Sequence, residues 1–501
     1  MKETISSRPQ WLELILVSTI VLLVSAVLFW RFLPLPHQDL NFYTEPAFLL
    51  ATTDKLAGPA SQAVDLTYQK GIYSYPPGYF LILAGWLRLF GLSADSLLTY
   101  THLVHAAALI MLWMLLRRRY SCSVIVSVFV MLAFFPRMVH GRPDLTGVAL
   151  SLAAWLALPE EIVWARILLS GCLAGTTLLV SPGFGVGIIS TLVILMLLNA
   201  RQKFKFRMGT AVIWLGTAGV FFSAITAIFL TLQHSWTIAY VQFKTNSAIR
   251  GAEVNVWPNF HLRFTWAFCV VPFFLVAILP ALFAIGRKWR VNSSELRALA
   301  LAFLGGTAVW LALNKSQLLL DHHFLFPAKS VFLGVFCSRL RFPAWVRVAP
   351  LALLSLISFY YHKPDFLYLG EPLRLEERKY AAEVKLGGVV AADSLYFARF
   401  YRPGQTLNYE VFAFENYWPR YLAAIPAFAR PSMLEGLLGQ PMKPDLLLIS
   451  AYTVSRSRDK SALDISCEQP QIFADRLYVL GRTWNLPAQP YALMTCHPRI
   501  P

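Results

Sequence analysis

Long apolar segments alternate with short polar segments over the first 360 residues of the chain. Some of the apolar segments reach the roughly 20 residues that an α-helix needs to cross a bilayer, and others are shorter. The pattern predicts an α-helical polytopic membrane domain over residues 1–362 with about eleven transmembrane helices. The predicted spans are 11–33, 95–116, 122–136, 144–158, 162–181, 184–200, 209–231, 264–285, 298–314, 323–338 and 345–361.

The composition indicates that lipid surrounds these segments. The 501-residue chain is 57% hydrophobic and 14% charged, whereas a soluble domain is about 45–50% apolar and about 25% charged. Apolar residues in long uninterrupted blocks cannot all be buried in a water-soluble core. The first block, 11–33, is too long for the apolar part of a signal peptide, and no small-residue cleavage pattern follows it. We therefore interpret this block as an uncleaved first helix.

The formal net charge of +17 comes from basic clusters between the apolar segments. Examples are RRR at 117–119, RQKFKFR at 201–207 and GRKWR at 286–290. Basic clusters of this kind face the cytoplasm in multi-pass membrane proteins, so the charge does not require a nucleic-acid partner. Binding of anionic membrane lipid by the same clusters is compatible with the pattern and stays an open alternative.

The apolar segment 76–91 is ambiguous, and the charge pattern decides its placement. If it crossed the membrane, every later basic cluster would change sides. If it lies along the membrane surface, all basic clusters face the cytoplasm, namely Arg8, 117–119, 201–207, 287–290 and 339–347. We therefore predict an interfacial segment. The loops 34–94 and 232–263 then lie outside, which is the periplasm of a bacterial inner membrane if the source is bacterial and a lumen otherwise.

The composition changes after His362, where charged residues become common and apolar runs shrink to strand length. Residues 363–501 are predicted to form a small soluble α/β domain on the periplasmic side. Strands are expected in KLGGVVAADSLYFARFY and at 444–450, 476–484 and 489–496. A stabilising or docking module and a direct role in substrate binding are both open interpretations of this domain.

Cys467 and Cys496 both lie in this polar region, whereas the other four cysteines lie in apolar segments. A disulfide between them is expected if the region is in an oxidising compartment, and two free thiols are the alternative.

Asp39 is the candidate catalytic residue, because it lies a few residues after the first predicted helix. A carboxylate near the low-dielectric interface has raised basicity, which suits removal of a proton from a hydroxyl. The alternative is an N-cap for a helix that starts at Leu40. Tyr75, in KGIYSYPPGYF, is either an interface anchor or a platform that stacks against a sugar or lipid headgroup.

Arg142 and Asp144 fall in the short outside turn RMVHGRPDL, where cations are otherwise rare in this chain. Binding of a phosphate by the arginine is one interpretation, and local pairing of the two side chains is the other. In the loop 232–263, Lys244 and Arg263 occur among aromatic residues. Basic and aromatic side chains together suit an anionic, partly apolar ligand.

His322 and His323 follow an aspartate in NKSQLLLDHHFLFP. An Asp-His-His run contains metal-ligand types, but the sequence offers no further ligand, so we predict no metal or other cofactor. The chain also lacks a P-loop and a dinucleotide fingerprint. The energy for any reaction must therefore come from an activated substrate or from a partner.

Four motifs in order, HQDLNFY, YSYPPGYFLILAGWLRLFG, LLRRRY and GRPDL, resemble the GT-C superfamily of membrane glycosyltransferases. Relatives in that superfamily include protein O-mannosyltransferases and the lipid A aminoarabinose transferase. In architecture the resemblance covers roughly residues 11–340. In many relatives an acidic residue directly follows the first-loop aspartate, and Leu40 stands at that position here.

The resemblance implies an inverting transfer of a sugar from a polyprenyl-phosphate donor to a cell-envelope acceptor. It implies that Asp39 is the general base, and that cations such as Arg142, Lys244, Arg263 or His323 stabilise the departing phosphate. Three alternatives stay open: a flippase for lipid-linked sugars, a lipid-linked glycan polymerase or ligase, and a non-catalytic lipid-binding relative.

Overall fold

The fold is taken from a computed structural model of the chain. The residues it describes are 10–31, 38–54, 76–134, 143–159, 161–198, 204–237, 239–240, 275, 278–285, 294–313, 325–340 and 342–366, and eight strand segments between 390 and 498. Over these ranges the chain is mostly helical, as the apolar pattern predicts.

The described helices follow the predicted apolar segments closely. Most of the predicted span 264–285 lies outside the described residues. The helices are α1 Gln10–Arg31, α2 Gln38–Thr53, α3 Gly78–Phe90, α4 Ala94–Met114, α5 Val124–Phe134, α6 Pro143–Ala157, α7 Trp164–Val180, α8 Pro182–Leu198, α9 Phe204–Leu232, α10 Leu279–Ile285, α11 Ser294–Leu313, α12 Phe326–Arg339 and α13 Ala344–Phe366.

Two described helical segments, Thr99–Arg119 and Lys205–Leu232, are long and apolar enough to cross a membrane. The second segment is not a core helix of the kind found in soluble proteins, because only 17% of its most apolar window is buried. Val212 and Val220 on this helix are 62% and 70% exposed. Such large exposed apolar area is compatible with a helical membrane protein.

One end of the helix bundle is built from arginines, and we call it the arginine-rich end. Its defining residues are Arg117, Arg119, Arg207, Arg339 and Arg347. They come from the π-helical turn Leu115–Arg119 that directly follows α4, the start of α9, the end of α12 and the start of α13. The helices therefore alternate in direction, and their basic flanks meet at one end.

The arginines at this end hold the last carbonyls of neighbouring helices. Arg119 Nη1 donates to the carbonyl oxygens of Trp155 and Leu158, at 2.6 and 2.7 Å. Arg207 Nη1 donates to the carbonyl of Leu197 at 3.0 Å. The last four carbonyls of a helix have no partner within the helix. These side chains therefore replace water at the ends of α6 and α8.

Ion pairs add further links between helices at the arginine-rich end. The Arg117 guanidinium contacts both carboxylate oxygens of Glu13, at 2.6 and 3.0 Å. Arg339 Nη2 lies 3.2 Å from the Glu295 carboxylate and 3.3 Å from the carbonyl oxygen of Tyr120. The first contact joins α1 to α4, and the second joins α12 to α11 and to the segment after α4.

Glycines allow α7 to lie very close to α9. A Cβ on Gly175 would come within 2.6 Å of the Ala218 carbonyl oxygen in α9, and a Cβ on Gly171 would come within 3.0 Å of the Trp214 carbonyl oxygen. The contact is extended by a hydrogen bond of 2.9 Å from Trp214 Nε1 to Ser170 Oγ.

The glycine-rich segment SPGFGVG at 181–187 contains the junction between α7 and α8. Only Ser181 separates α7 from α8, and its extended backbone changes the chain direction. The following residues belong to α8, where a Cβ on Gly185 would come within 2.6 Å of the Leu178 Cα. The glycine is needed because α8 packs tightly against α7, rather than because a turn requires it.

The described segments after residue 390 are strands. They are β1 Val390–Ala392, β2 Thr406–Asn408, β3 Leu446–Ser450, β4 Ile465–Cys467, β5 Gln471–Phe473, β6 Arg476–Val479, β7 Arg482–Asn485 and β8 Tyr491–Pro498. One mixed sheet has the order β2-β1-β3-β8-β4, with β5 also paired to β8. Strand β1 is parallel to β2 and β3, and β8 is antiparallel to its partners. That this region forms a separate periplasmic domain stays a prediction.

The predicted strand 476–484 is divided into two in the structure. Strands β6 and β7 pair with each other antiparallel, with Val479 opposite Arg482. Two residues lie between these partners, which is the shortest common hairpin connection, and glycine is favoured there. The single-strand prediction was wrong because it overlooked Gly481 as a turn signal.

Replacement of Gly175 by alanine should lower the free energy of unfolding by about 1–3 kcal/mol, because the added methyl group overlaps the backbone of α9. The matched control is Gly216→Ala in α9, where a Cβ meets nothing within 4 Å. The control should be neutral or slightly stabilising. Denaturant unfolding in detergent measures both, and equal destabilisation by the two variants would contradict the close approach of α7 to α9.

The register of β4 and β8 places Cys467 opposite Cys496. Opposite residues in antiparallel strands have Cα atoms about 4.5–5.5 Å apart, within the range that a disulfide spans. We therefore expect two additional alkylated thiols per chain after reduction of the purified protein, measured by intact mass. The gain should be absent in Cys467→Ser and retained in Cys172→Ser. Full alkylation without reductant would show two free thiols instead.

Candidate functional site

The end of the bundle opposite the arginine-rich end contains a cluster of hydroxyl groups beside a carboxylate. We call it the hydroxyl cluster, and it consists of Tyr79, Tyr100, Asp144, Thr146 and Ser181. The hydroxyls of Tyr100 and Thr146 are 2.9 Å apart, and Ser181 Oγ is 3.4 Å from the Asp144 carboxylate. Four helices, α3, α4, α6 and α7, meet through these side chains.

The local sequence explains why Asp144 lies at this point. Helix α6 begins at Pro143, and proline favours the first helical position because it has no N–H to leave without a partner. A carboxylate in the next position is stabilised by the positive end of the helix dipole. Gly147, one turn later, lets Ser181 approach, because a Cβ there would lie 3.0 Å from the Ser181 Cβ.

Helix α3 lies across this end of the bundle and does not run along its length. A Cβ on Gly78 would come within 2.7 Å of the Leu179 Cβ at the end of α7. Further along α3, Trp86 Nε1 donates to the carbonyl of Ser96 at 2.9 Å, and Ser96 is only one turn from Tyr100. Both ends of the 13-residue helix therefore contact the same end of the bundle.

Tyr79 is 2% exposed and faces both Tyr100 and Asp144. Burial raises the pKa of the Tyr79 hydroxyl well above its ordinary value, and the neighbouring Tyr100 and Asp144 raise it further. The tyrosine therefore keeps its proton, and its O–H stays a donor at neutral pH. The side chain that the YPPGY motif contributes to the cluster is Tyr79.

Helix α2 is fixed to the same end by its last turn. The Arg88 guanidinium of α3 donates to the carbonyls of Leu50 and Ala51 and pairs with the carboxylate of Asp54. Gln233 Nε2, just after α9, donates to the carbonyl of Asp54 at 2.8 Å. Helix α2 therefore packs against α3 at the end that carries the hydroxyl cluster.

Two of the predicted site residues lie within the described ranges. Asp39 is the second residue of α2, which begins at Gln38 rather than at Leu40. Its side chain lies outside the described residues, and Asp144 belongs to the hydroxyl cluster. The predicted residues Tyr75, Arg142, Lys244, Arg263, His322 and His323 all lie outside the described ranges.

Lys329 is a candidate that the sequence analysis overlooked. It lies in the first turn of α12, is 6% exposed, and has its Nζ 5.9 Å from the centre of the Phe326 ring. It precedes Arg339 by ten residues, so along the helix axis it lies about 15 Å from the arginine-rich end. The signal was available, because a lysine inside a predicted span is uncommon and usually functional.

Helix α4 also contains His102 and His105, and both imidazoles are buried. Among the described residues, no three His, Cys, Asp or Glu side chains come together as a metal site would require. The hydroxyl cluster offers neutral donors, one carboxylate and aromatic rings. That combination suits a polyhydroxylated ligand such as a sugar, because hydroxyls and carboxylates bind sugar hydroxyls while aromatic faces cover apolar C–H surfaces.

No protein-family model, curated protein or solved structure matches this chain.

The Tyr100–Thr146 hydrogen bond should couple α4 to α6. Tyr100→Phe and Thr146→Val should each lower the free energy of unfolding by about 0.5–1.5 kcal/mol. The double variant should have about the same free energy of unfolding as the less stable of the two single variants, because both substitutions remove the same hydrogen bond. Tyr100→Phe combined with Ser190→Ala is the control, since Ser190 donates its hydroxyl to the Val186 carbonyl within its own helix, α8. If the destabilisation by Tyr100→Phe and that by Thr146→Val add up in the double variant, the hydrogen bond between the two side chains is contradicted.

Proposed function

We propose that the chain is a multi-pass membrane glycosyltransferase that moves a sugar from a polyprenyl-phosphate donor to a cell-envelope acceptor. The observation that carries the proposal is the chemical difference between the two ends of the bundle. The arginine-rich end suits the cytoplasmic face. The opposite end combines a carboxylate, hydroxyls and tyrosines beside the motifs that resemble the GT-C superfamily. In this arrangement α3 lies along the outer membrane surface.

Asp39 is proposed as the general base. The GT-C resemblance supports this role. Asp39 lies in the first turn of α2, where the positive end of the helix keeps a carboxylate ionised but also lowers its basicity. The acceptor hydroxyl loses its proton to Asp39, its oxygen attacks the anomeric carbon, and the bond from that carbon to the phosphate oxygen breaks. The polyprenyl phosphate leaves, and the anomeric configuration is inverted.

The departing phosphate needs fixed positive charge. Arg142, Lys244, Arg263 and His323 are the proposed sources, as the GT-C resemblance implies. The buried Lys329 is added to this set because it lies six residues after His323, and an ammonium group held in the helix bundle binds phosphate as a compact charge. Asp144 is proposed to bind hydroxyls of the sugar, with Ser181 holding its carboxylate in place.

A flippase for lipid-linked sugars is the second candidate function. Buried ionisable side chains inside transmembrane helices are typical of transporters, and His102, His105 and Lys329 have that character here. The two candidates differ in whether a glycosidic bond is broken, so an assay of transfer distinguishes them.

The decisive experiment measures sugar transfer in membrane vesicles from a radiolabelled polyprenyl-phosphate donor pool to endogenous acceptors. Asp39→Asn should lower the transfer rate at least about 100-fold, because a general base contributes typically 10²–10⁴-fold, while donor binding is retained. Asp54→Asn is the matched control, since Asp54 ends the same helix and is paired with Arg88. The control should keep most of the activity.

Equal transfer by wild type and Asp39→Asn would remove Asp39 from the mechanism while leaving the transferase assignment in place. Absence of transfer, together with protein-dependent movement of labelled donor across the bilayer, would favour the flippase.

A further inference from the structure

Four exposed aromatic side chains lie at the arginine-rich end, and we call them the aromatic belt. Each occurs in the first turn of a helix that begins at this end, and each residue is at least 51% exposed. They are Trp11 in α1, Trp164 in α7, Phe206 in α9 and Trp345 in α13. Tryptophan is enriched where helices pass through the headgroup level of a bilayer.

Two members of the aromatic belt lie at the same level of the bundle. Helices α7 and α9 both begin at the arginine-rich end, and Gly175 of α7 lies against the backbone of Ala218 in α9. Eleven residues before each of these positions are Trp164 and Arg207, and Phe206 directly precedes Arg207. The first turns of the two helices therefore present their aromatic side chains at one depth.

Exposed apolar side chains continue from the aromatic belt towards the middle of the bundle. Within about three turns of each tryptophan or phenylalanine, the same helix carries aliphatic residues that are at least 54% exposed. They are Ile15, Leu16, Leu169, Val212, Leu353 and Leu356. An acidic protein that docked on the end of the bundle would leave these flanks in water, whereas the acyl chains of lipids would cover them.

Positive charge is in excess at the same end. The described residues there include nine cations and three carboxylates, and two of the carboxylates are paired with arginines. The cations are Arg117, Arg118, Arg119, Arg166, Lys205, Arg207, Arg297, Arg339 and Arg347, and the carboxylates are Glu13, Glu161 and Glu295. A basic surface next to apolar flanks is complementary to an anionic phospholipid, which combines a negative headgroup with acyl chains.

Two of these cations are available to a ligand. Most of the others donate to carbonyls or carboxylates of the protein, whereas Arg118 and Lys205 are exposed and make no hydrogen bond or ion pair within the part of the chain that the structure describes. Arg118 belongs to the π-helical turn after α4. Lys205 directly precedes Phe206 in the first turn of α9, so one cation lies beside the aromatic belt.

Helix α9 reaches a second aromatic level at the opposite end of the bundle. Trp236 and Tyr240, which follow this helix, are 53% and 57% exposed. A helix of 29 residues is about 44 Å long, and a bilayer with its headgroups is about 40–45 Å thick. The two aromatic levels are therefore separated by about the thickness of one bilayer.

We propose that the arginine-rich end binds anionic phospholipids of the cytoplasmic leaflet. Arg118 and Lys205 contact the headgroup phosphates, the aromatic belt lies at the headgroup level, and the exposed aliphatic side chains contact the acyl chains. The inference rests on the membrane placement of the helix bundle and does not depend on glycosyl transfer, so either can fail without the other.

The test supplies the full chain in detergent micelles with equal amounts of phosphatidylglycerol and phosphatidylcholine that carry the same acyl chains. Native mass spectrometry measures how many molecules of each lipid the protein retains. Wild type should retain phosphatidylglycerol at least about fivefold better. Arg118→Gln combined with Lys205→Gln should remove most of that preference, because a basic residue near an anionic surface contributes about fivefold in affinity.

Two controls accompany this variant. Arg118→Lys combined with Lys205→Arg conserves the charge and should retain the preference. Arg88→Gln removes a cation at the opposite end, where it pairs with Asp54, and should leave the preference unchanged. Equal retention of the two lipids by wild type would overturn the proposal, and so would an unchanged preference after loss of both cations. Displacement of phosphatidylglycerol by an equal concentration of soluble glycerol phosphate would overturn the choice of a membrane lipid as the ligand.

A second measurement determines the depth of the aromatic belt in vesicles that contain brominated lipids, since bromine quenches tryptophan fluorescence at short range. Comparison of wild type with Trp345→Phe isolates the contribution of Trp345, which is 75% exposed. Bromine near the headgroup should quench this contribution more strongly than bromine near the ends of the acyl chains. The reverse order would place the aromatic belt in the hydrocarbon core and overturn the proposal.

Discussion

The satisfaction of helix-end carbonyls is the constraint on which the rest of this structure depends. A backbone carbonyl that is buried without a hydrogen-bond partner costs about 1–3 kcal/mol. Arg119 and Arg207 meet this requirement by donating to the last carbonyls of α6 and α8. Each bond joins two different helical segments, so it also fixes the position of one segment relative to the other along the helix axis.

This arrangement leaves the opposite end available for chemistry. At the arginine-rich end, the long cationic side chains make hydrogen bonds and ion pairs that hold helices together. The opposite end carries the hydroxyl cluster with its carboxylate. Helix α3 covers that end, and the Arg88 contacts with α2 hold it there. The proposed function would use this separation, because a lipid-linked donor would have to reach the polar groups from the membrane while the bundle itself stays closed.

The helices were predictable from sequence, and much of the site was not. Apolar length and flanking charge locate α9 and α12, because lipid requires both features. The role of the glycines in SPGFGVG could not be predicted, since glycine serves close helix packing and turns equally well, and only the neighbouring Leu178 distinguishes them. Lys329 was overlooked because a single lysine does not interrupt the hydropathy of a span. Ser181 and Thr146 could not be found at all, since their roles depend on contacts between distant parts of the chain.

Only a small part of the surface of α9 is buried, and this determines which substitutions the helix can accept during evolution. Ala211, Trp214 and Ala218 form the narrow face that packs on α7 and its neighbours, whereas Val212 and Val220 face outward. If α9 spans the membrane as proposed, outward positions should accept any apolar residue, because one hydrocarbon side chain replaces another against lipid. The inward positions should accept almost none. Among homologues, the sequence of α9 should therefore drift rapidly on most of its circumference and stay nearly constant along one stripe.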